Sequence, residues 1–187
     1  MSADAKSRWN PDRFDVRAFA QAGAQWGADE PLARFPRLVA ELPGGVEADG
    51  LTVSWSARGE QRPGLRGGDP TIWLHVEVRV DLPLPCQRCL APVAVPLAVD
   101  RWFRFVADED TAAAEDEDSE EDVLALEPRP SLRDLIEDEL LMELPPVPLH
   151  EVCPAPLPLH DSPGAPAEAQ TEVSRRNPFA ELARLKK

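Results

Sequence analysis

Residues 71–105 read TIWLHVEVRVDLPLPCQRCLAPVAVPLAVDRWFRF. In the first half, Ile72, Leu74, Val76, Val78, Val80, Leu82 and Leu84 alternate with Thr71, Trp73, His75, Glu77, Arg79, Asp81 and Pro83. An unbroken period of two puts the apolar set on one face of a strand and the rest on the other. Beyond Pro85 to Pro92 a second run carries Val93, Val95, Leu97, Val99, Phe103 and Phe105 on one face, with Arg101 as the exception. Two long runs joined by a short tip predict an antiparallel hairpin with one buried face. Upstream, Leu51, Val53, Trp55 and Ala57 alternate with Thr52, Ser54, Ser56 and Arg58, which predicts a third strand. Residues 59–70 hold four glycines and two prolines and read as the loop between these strands.

One buried sheet face needs a cover. Residues 14–27 carry Phe14, Val16, Phe19 and Ala20 at helical spacing, with Asp15 placed to cap. Leu32, Phe35, Leu38 and Leu42 anchor a loop with a short helical turn. The strongest helix spans 131–144. Ser131 followed by Asp134 resembles a capping box, and Leu132, Leu135, Ile136, Leu140 and Leu144 line one face. Glu137, Asp138 and Glu143 lie off that face, and Pro145 and Pro146 stop the helix. The expected fold is α+β: an antiparallel sheet with a long hairpin, packed by the N-terminal and 131–144 helices. Residues 1–153 then form one domain. Within it, 108–122 carry ten carboxylates and no base, a density that favours a disordered acidic loop. Val123, Leu124 and Leu126 are placed to re-enter the sheet. A Pro-rich flexible linker, 154–176, leads to a short amphipathic helix, 177–187, opened by Asn177 and Pro178.

The composition excludes several classes. The chain has 187 residues and a net charge of -14, so bulk charge does not drive nucleic-acid binding. Twenty-one prolines rule out a coiled coil through most of its length. Residues 1–14 lack the apolar core of a signal peptide. The longest mainly apolar run, Leu90 to Val99, falls short of the ~18 residues a membrane span needs. Three cysteines make no disulfide framework. The expectation is a reduced, cytoplasmic protein with no membrane and no small-molecule substrate.

The chemistry-bearing residues fall into few groups. Cys86 and Cys89 form a C-x-x-C pair at the hairpin tip, a spacing that turns both sulfurs toward one metal ion. His150 and Cys153, after the proline stop, complete a tetrahedral set of three thiolates and one imidazole. Packing cysteines and a solvated histidine are the plain alternative. A thioredoxin-like redox role needs a helix N-terminus after the first sulfur, and here a strand follows. No phosphate loop, nucleophile elbow or metalloprotease motif occurs. His75, on a strand's polar face, and His160, in the linker, read as solvated. Arg58, Arg62 and Arg66 crowd the first loop, Arg88 sits at the tip, and Arg175, Arg176 and Arg184 cluster near the C-terminus. Each is a candidate for contact with RNA phosphate, weighed against ordinary solubilising charge. Phe179, Leu182 and Leu185 give the last segment an apolar side suited to a partner. The acidic run reads as a solvated spacer, or as a surface for a basic protein.

Three stretches in order resemble the YceD family of large ribosomal RNA subunit accumulation proteins. They are Pro85-Cys86-Gln87-Arg88-Cys89-Leu90-Ala91-Pro92, then Asp134 to His150 with Cys153 behind, and the terminal Asn177 to Lys186. The resemblance covers roughly residues 14–187, with the acidic spacer in its place. It implies a non-enzymatic role in the accumulation or processing of 23S ribosomal RNA. Some relatives carry further cysteines after the helix in a zinc-ribbon-like pattern, where this chain has His150 and Cys153. The expected partners are the 23S precursor or large-subunit assembly proteins. The competing expectation is a zinc-binding or redox protein built on Cys86, Cys89, His150 and Cys153.

Overall fold

The computed structural model describes residues 9–64 and 69–154. Five strands form one sheet in the order β1-β2-β3-β4-β5. The hairpin is its centre. β3 (Thr71–Pro85) and β4 (Pro92–Val106) have 15 residues each and pair antiparallel from Ile72↔Phe105 to Pro85↔Pro92. β2 (Thr52–Arg62) pairs antiparallel with β3, and β1 (Gln25–Pro31) with β2. β2 therefore runs through Arg58 and Gly59 to Arg62, residues the sequence assigns in part to the loop. β1 was not expected: QWGADEP lacks alternation, and the strand exists because β2 offers it a paired edge.

The sheet is α+β as expected, but mixed rather than wholly antiparallel. β5 (Asp122–Ala125) lies parallel to β4. A parallel neighbour requires a crossover, and α3 (Glu109–Asp116) supplies it from the acidic stretch expected to be disordered. Three forces overcome the like-charge repulsion. Asp108 caps α3, accepting from Thr111 N at 2.9 Å. Ala112 is buried, and Ala112 to Ala114 favour helix. Arg104 reaches from β4 to both Glu115 and Ser119.

The helices cover one sheet face. α1 (Val16–Gln21) is shorter than the expected 14–27 and is capped by Asp15. The chain turns away at Gly23, where φ is +54°. α2 (Pro36–Ala40) and α4 (Leu132–Met142) follow. Ser131 caps α4, accepting from Asp134 N at 3.1 Å. Leu132, Ile136 and Leu140 drive α4 into a core that includes Phe14, Phe19, Phe35, Leu74, Val76 and Phe103. At Gly59 a Cβ would lie 2.7 Å from the Ala20 Cα, so α1 presses directly on the sheet backbone.

Two carboxylates are buried within this layer. Glu137, placed off the core face by its spacing, is 3% exposed. Its Oε1 accepts from Arg37 N at 2.7 Å and Leu38 N at 3.2 Å, and its Oε2 from Arg37 Nε at 2.9 Å. It caps α2 from another helix. Glu139 explains the Arg101 exception. Arg101 shares the core-side register of β4, and its guanidinium meets Asp122 and the buried Glu139.

Candidate metal centre

The hairpin tip is a knuckle. Cys86 N donates to Ala91 O at 3.0 Å and Leu90 N to Cys86 O at 2.8 Å. These bonds close a turn that forces Leu90 to φ 62°, a left-handed conformation rare for a branched residue. Such a position persists only where its surroundings over-determine it. The segment after α4 is stitched to this turn. Gln87 N donates to Pro148 O at 2.9 Å, and Arg88 Nη2 to His150 O at 3.4 Å.

This stitching brings together Cys86, Cys89, His150 and Cys153. One donor atom from each lies within 4.8 Å of all the others. Zinc–sulfur and zinc–nitrogen bond lengths imply tetrahedral edges of about 3.6–3.8 Å. Cys89 Sγ and His150 Nδ1 are 3.4 Å apart, close to such an edge. The other imidazole nitrogen, Nε2, lies 3.1 Å from Pro92 O. A backbone carbonyl there fixes the ring so that Nδ1 faces the sulfurs, where it donates to a thiolate when protonated and offers its lone pair to a metal ion when not. Cys86 is buried, while Cys89, His150 and Cys153 are half-buried.

The thiols are electrostatically unequal. Burial pushes the Cys86 thiol up. Backbone hydrogen bonds from Cys89, His150 and Arg88, together with the His150 side chain, more than offset it and bring Cys86 down to about 5. Burial, followed by the Cys89 hydrogen bond and the neighbouring sulfur charges, pushes Cys153 up. Cys86 holds its thiolate readily, whereas Cys153 resists losing its proton. A divalent cation removes that conflict, because it binds the deprotonated ligands together. The three cysteines are free thiols, and the C-x-x-C pair lies between two strands rather than at a helix N-terminus.

The other candidates scatter. Arg88 is at the tip. Arg58 and Arg62 sit on β2, toward the opposite end of β3, where Glu60 pairs with both. Arg66, Arg175, Arg176, Phe179, Leu182 and Arg184, with the expected terminal helix and nearly all of the linker, lie outside the described residues. Sequence reasoning missed what surrounds Arg62. Its guanidinium carbon lies 4.1 Å from the Trp73 ring centre and 4.2 Å from that of Trp102. His75, expected to be solvated, stacks on Trp102 at 4.6 Å and meets Asp100 at 2.6 Å. The available signal was a tryptophan on the polar side of each long strand.

No helix of the described residues is long and apolar enough to cross a membrane. No curated protein and no solved structure matches the chain. A family model described as "Large ribosomal RNA subunit accumulation protein YceD" matches residues 74–186. That span takes in the hairpin, α3, α4 and all four convergent donors. With more than half of its length matched, the chain belongs to the YceD family of large ribosomal RNA subunit accumulation proteins.

Proposed function

We propose that this protein is a non-enzymatic, cytoplasmic factor that supports accumulation of 23S ribosomal RNA by binding RNA or assembly proteins. A structural zinc ion, held by Cys86, Cys89, His150 and Cys153, locks the hairpin tip to the segment after α4. The observation that carries the site is the convergence of four donors from two segments distant in sequence. Four protein ligands fill a tetrahedral zinc and leave no position for substrate, so this is a closed, structural centre. The family supports the ribosomal role. Arg58, Arg62, Arg66, Arg88, Arg175, Arg176 and Arg184 are the proposed contacts to RNA, with Phe179 and Leu182 as the apolar contacts to a partner.

Two experiments test this reading. Zinc per chain, measured after purification without chelator, should be about one in the wild type and should collapse in Cys86→Ser. A metal-free wild type contradicts the site. A tagged pull-down, split into RNase-treated and untreated halves, should enrich 23S precursor or large-subunit assembly proteins. If neither appears, the ribosomal role is contradicted.

A further inference from the structure

α1, α2 and α4 pack on one face of the sheet, and the opposite register, flanked by α3 at Arg104, is not uniformly polar. Across the open end of the hairpin it places Arg58 opposite His75, His75 opposite Trp102, and Trp73 opposite Arg104. Intervening Ala57, Leu74, Val76 and Phe103 point into the core and fix the strands that carry this row. The row is pre-arranged. Trp73 Nε1 donates to Thr71 Oγ1 at 2.8 Å, which sets its ring. His75 supports one side of Trp102, and Arg62 fills the corner between the two indoles. Arg58 also lies over Trp102, at 5.2 Å.

We propose that Trp102 and the guanidinium planes of Arg58 and Arg62, backed by the buried Trp73, form a stacking face for single-stranded RNA. The inference rests on the ribosomal reading above and assigns it a contact surface. Two properties favour RNA. Single-strand recognition stacks bases on aromatic rings and on arginine planes, both present here side by side. A guanidinium has five N–H donors. Glu60 engages Arg58 through one nitrogen and Arg62 through Nε, so each keeps donors for phosphate while its plane lies on an indole. The side chains of Arg58 and Arg62 are 44% and 37% exposed, so a strand can reach them. A cleft of about 510 Å³ adjoins the row between Trp73, Thr71 and Arg62 on the sheet and Glu115 and Ser119 beyond it. Arg104, which bonds Glu115, marks where the acidic α3 begins. α3 repels phosphate, so it bounds the face and directs the strand toward β2.

The test uses the full chain and a fluorescein-labelled 12-nucleotide oligouridine, with anisotropy read at two salt concentrations. The wild type should bind, more weakly at high salt, and an RNA duplex of the same length should compete poorly. Trp102→Ala should weaken binding about tenfold, the order expected for one lost stacked base. Arg62→Ala should weaken it and flatten the salt dependence. Arg17→Ala, an exposed charge on α1, should change nothing. A 4-thiouridine version of the oligonucleotide, photo-cross-linked to the wild type, guards against variants that fail to fold. Cross-links should fall in peptides containing 58–62 or 102. Absence of oligonucleotide binding, equal competition by duplex, or cross-links confined elsewhere would each overturn the proposal. So would binding of nona-arginine in place of RNA, which would assign the face to a basic protein. If the face fails in these ways while the pull-down still enriches 23S precursor, the ribosomal reading stands without it.

Discussion

Replacing Glu137 probes the join between α2 and α4. Its carboxylate, 3% exposed, accepts from the backbone N–H groups of Arg37 and Leu38 and pairs with the Arg37 guanidinium. Those N–H groups belong to the first turn of α2, where no intrahelical acceptor exists, and α2 has no side-chain cap of its own. Alanine strands both donors. A buried unsatisfied group costs about 1–3 kcal/mol. Leu38 N is fully buried and Arg37 N only partly, so the second cost is at the low end. The Arg37 side chain is 47% exposed, so its ion pair adds only about 0–1 kcal/mol. Glu137→Ala should therefore lose about 2–5 kcal/mol. Glu137→Gln keeps an acceptor for both N–H groups but sets its amide NH2 against Arg37 Nε–H, so it loses that exposed ion pair and the charge assistance, about 1 kcal/mol. Urea unfolding at pH 7 reads both, as a lower midpoint with an unchanged slope. An alanine variant within about 0.5 kcal/mol of wild type, the usual range for an uninvolved surface site, would refute the reasoning. So would a glutamine variant as damaged as the alanine one.

Three further outcomes follow. Gly59→Ala should cost about 1–3 kcal/mol, because its Cβ would meet the α1 backbone 2.7 Å away, and an unchanged thermal midpoint would contradict that packing. Asp108 is held below its ordinary value by the backbone and hydroxyl of Thr111. Its contribution is full above the ordinary aspartate range and is lost as pH falls through the lowered folded value. A carbon-13 titration should find its carboxyl below the exposed aspartates, and a midpoint level with theirs would argue against the cap. Acid should release zinc, since thiolates and imidazole regain protons, and a chromogenic chelator should report more free metal at pH 5 than at pH 7. Equal release at both would contradict thiolate ligation.

The hairpin was legible because its alternation is long and its faces chemically distinct. Ser131 and the leucine spacing of α4 were legible for the same reason, since local chemistry and burial agree. β1 was not, because Trp26, Gly27 and Asp29 owe their conformation to β2 rather than to a pattern of their own. The acidic stretch misled because repulsion is a sequence property, whereas the Arg104 contacts that hold α3 come from the neighbouring strand. Glu137 and Glu139 sat on a helix read by its leucines, and their partners, Arg37 and Arg101, lie far away in the chain. The four metal-ligand candidates were readable from spacing, whereas their convergence and the His150–Pro92 support exist only in three dimensions.

The most direct test of the central claim is the ratio of mature 23S to 16S ribosomal RNA in cells depleted of this protein. The account predicts a fall in that ratio, restored by the wild-type chain but not by Cys86→Ser. A ratio unchanged by depletion would contradict it.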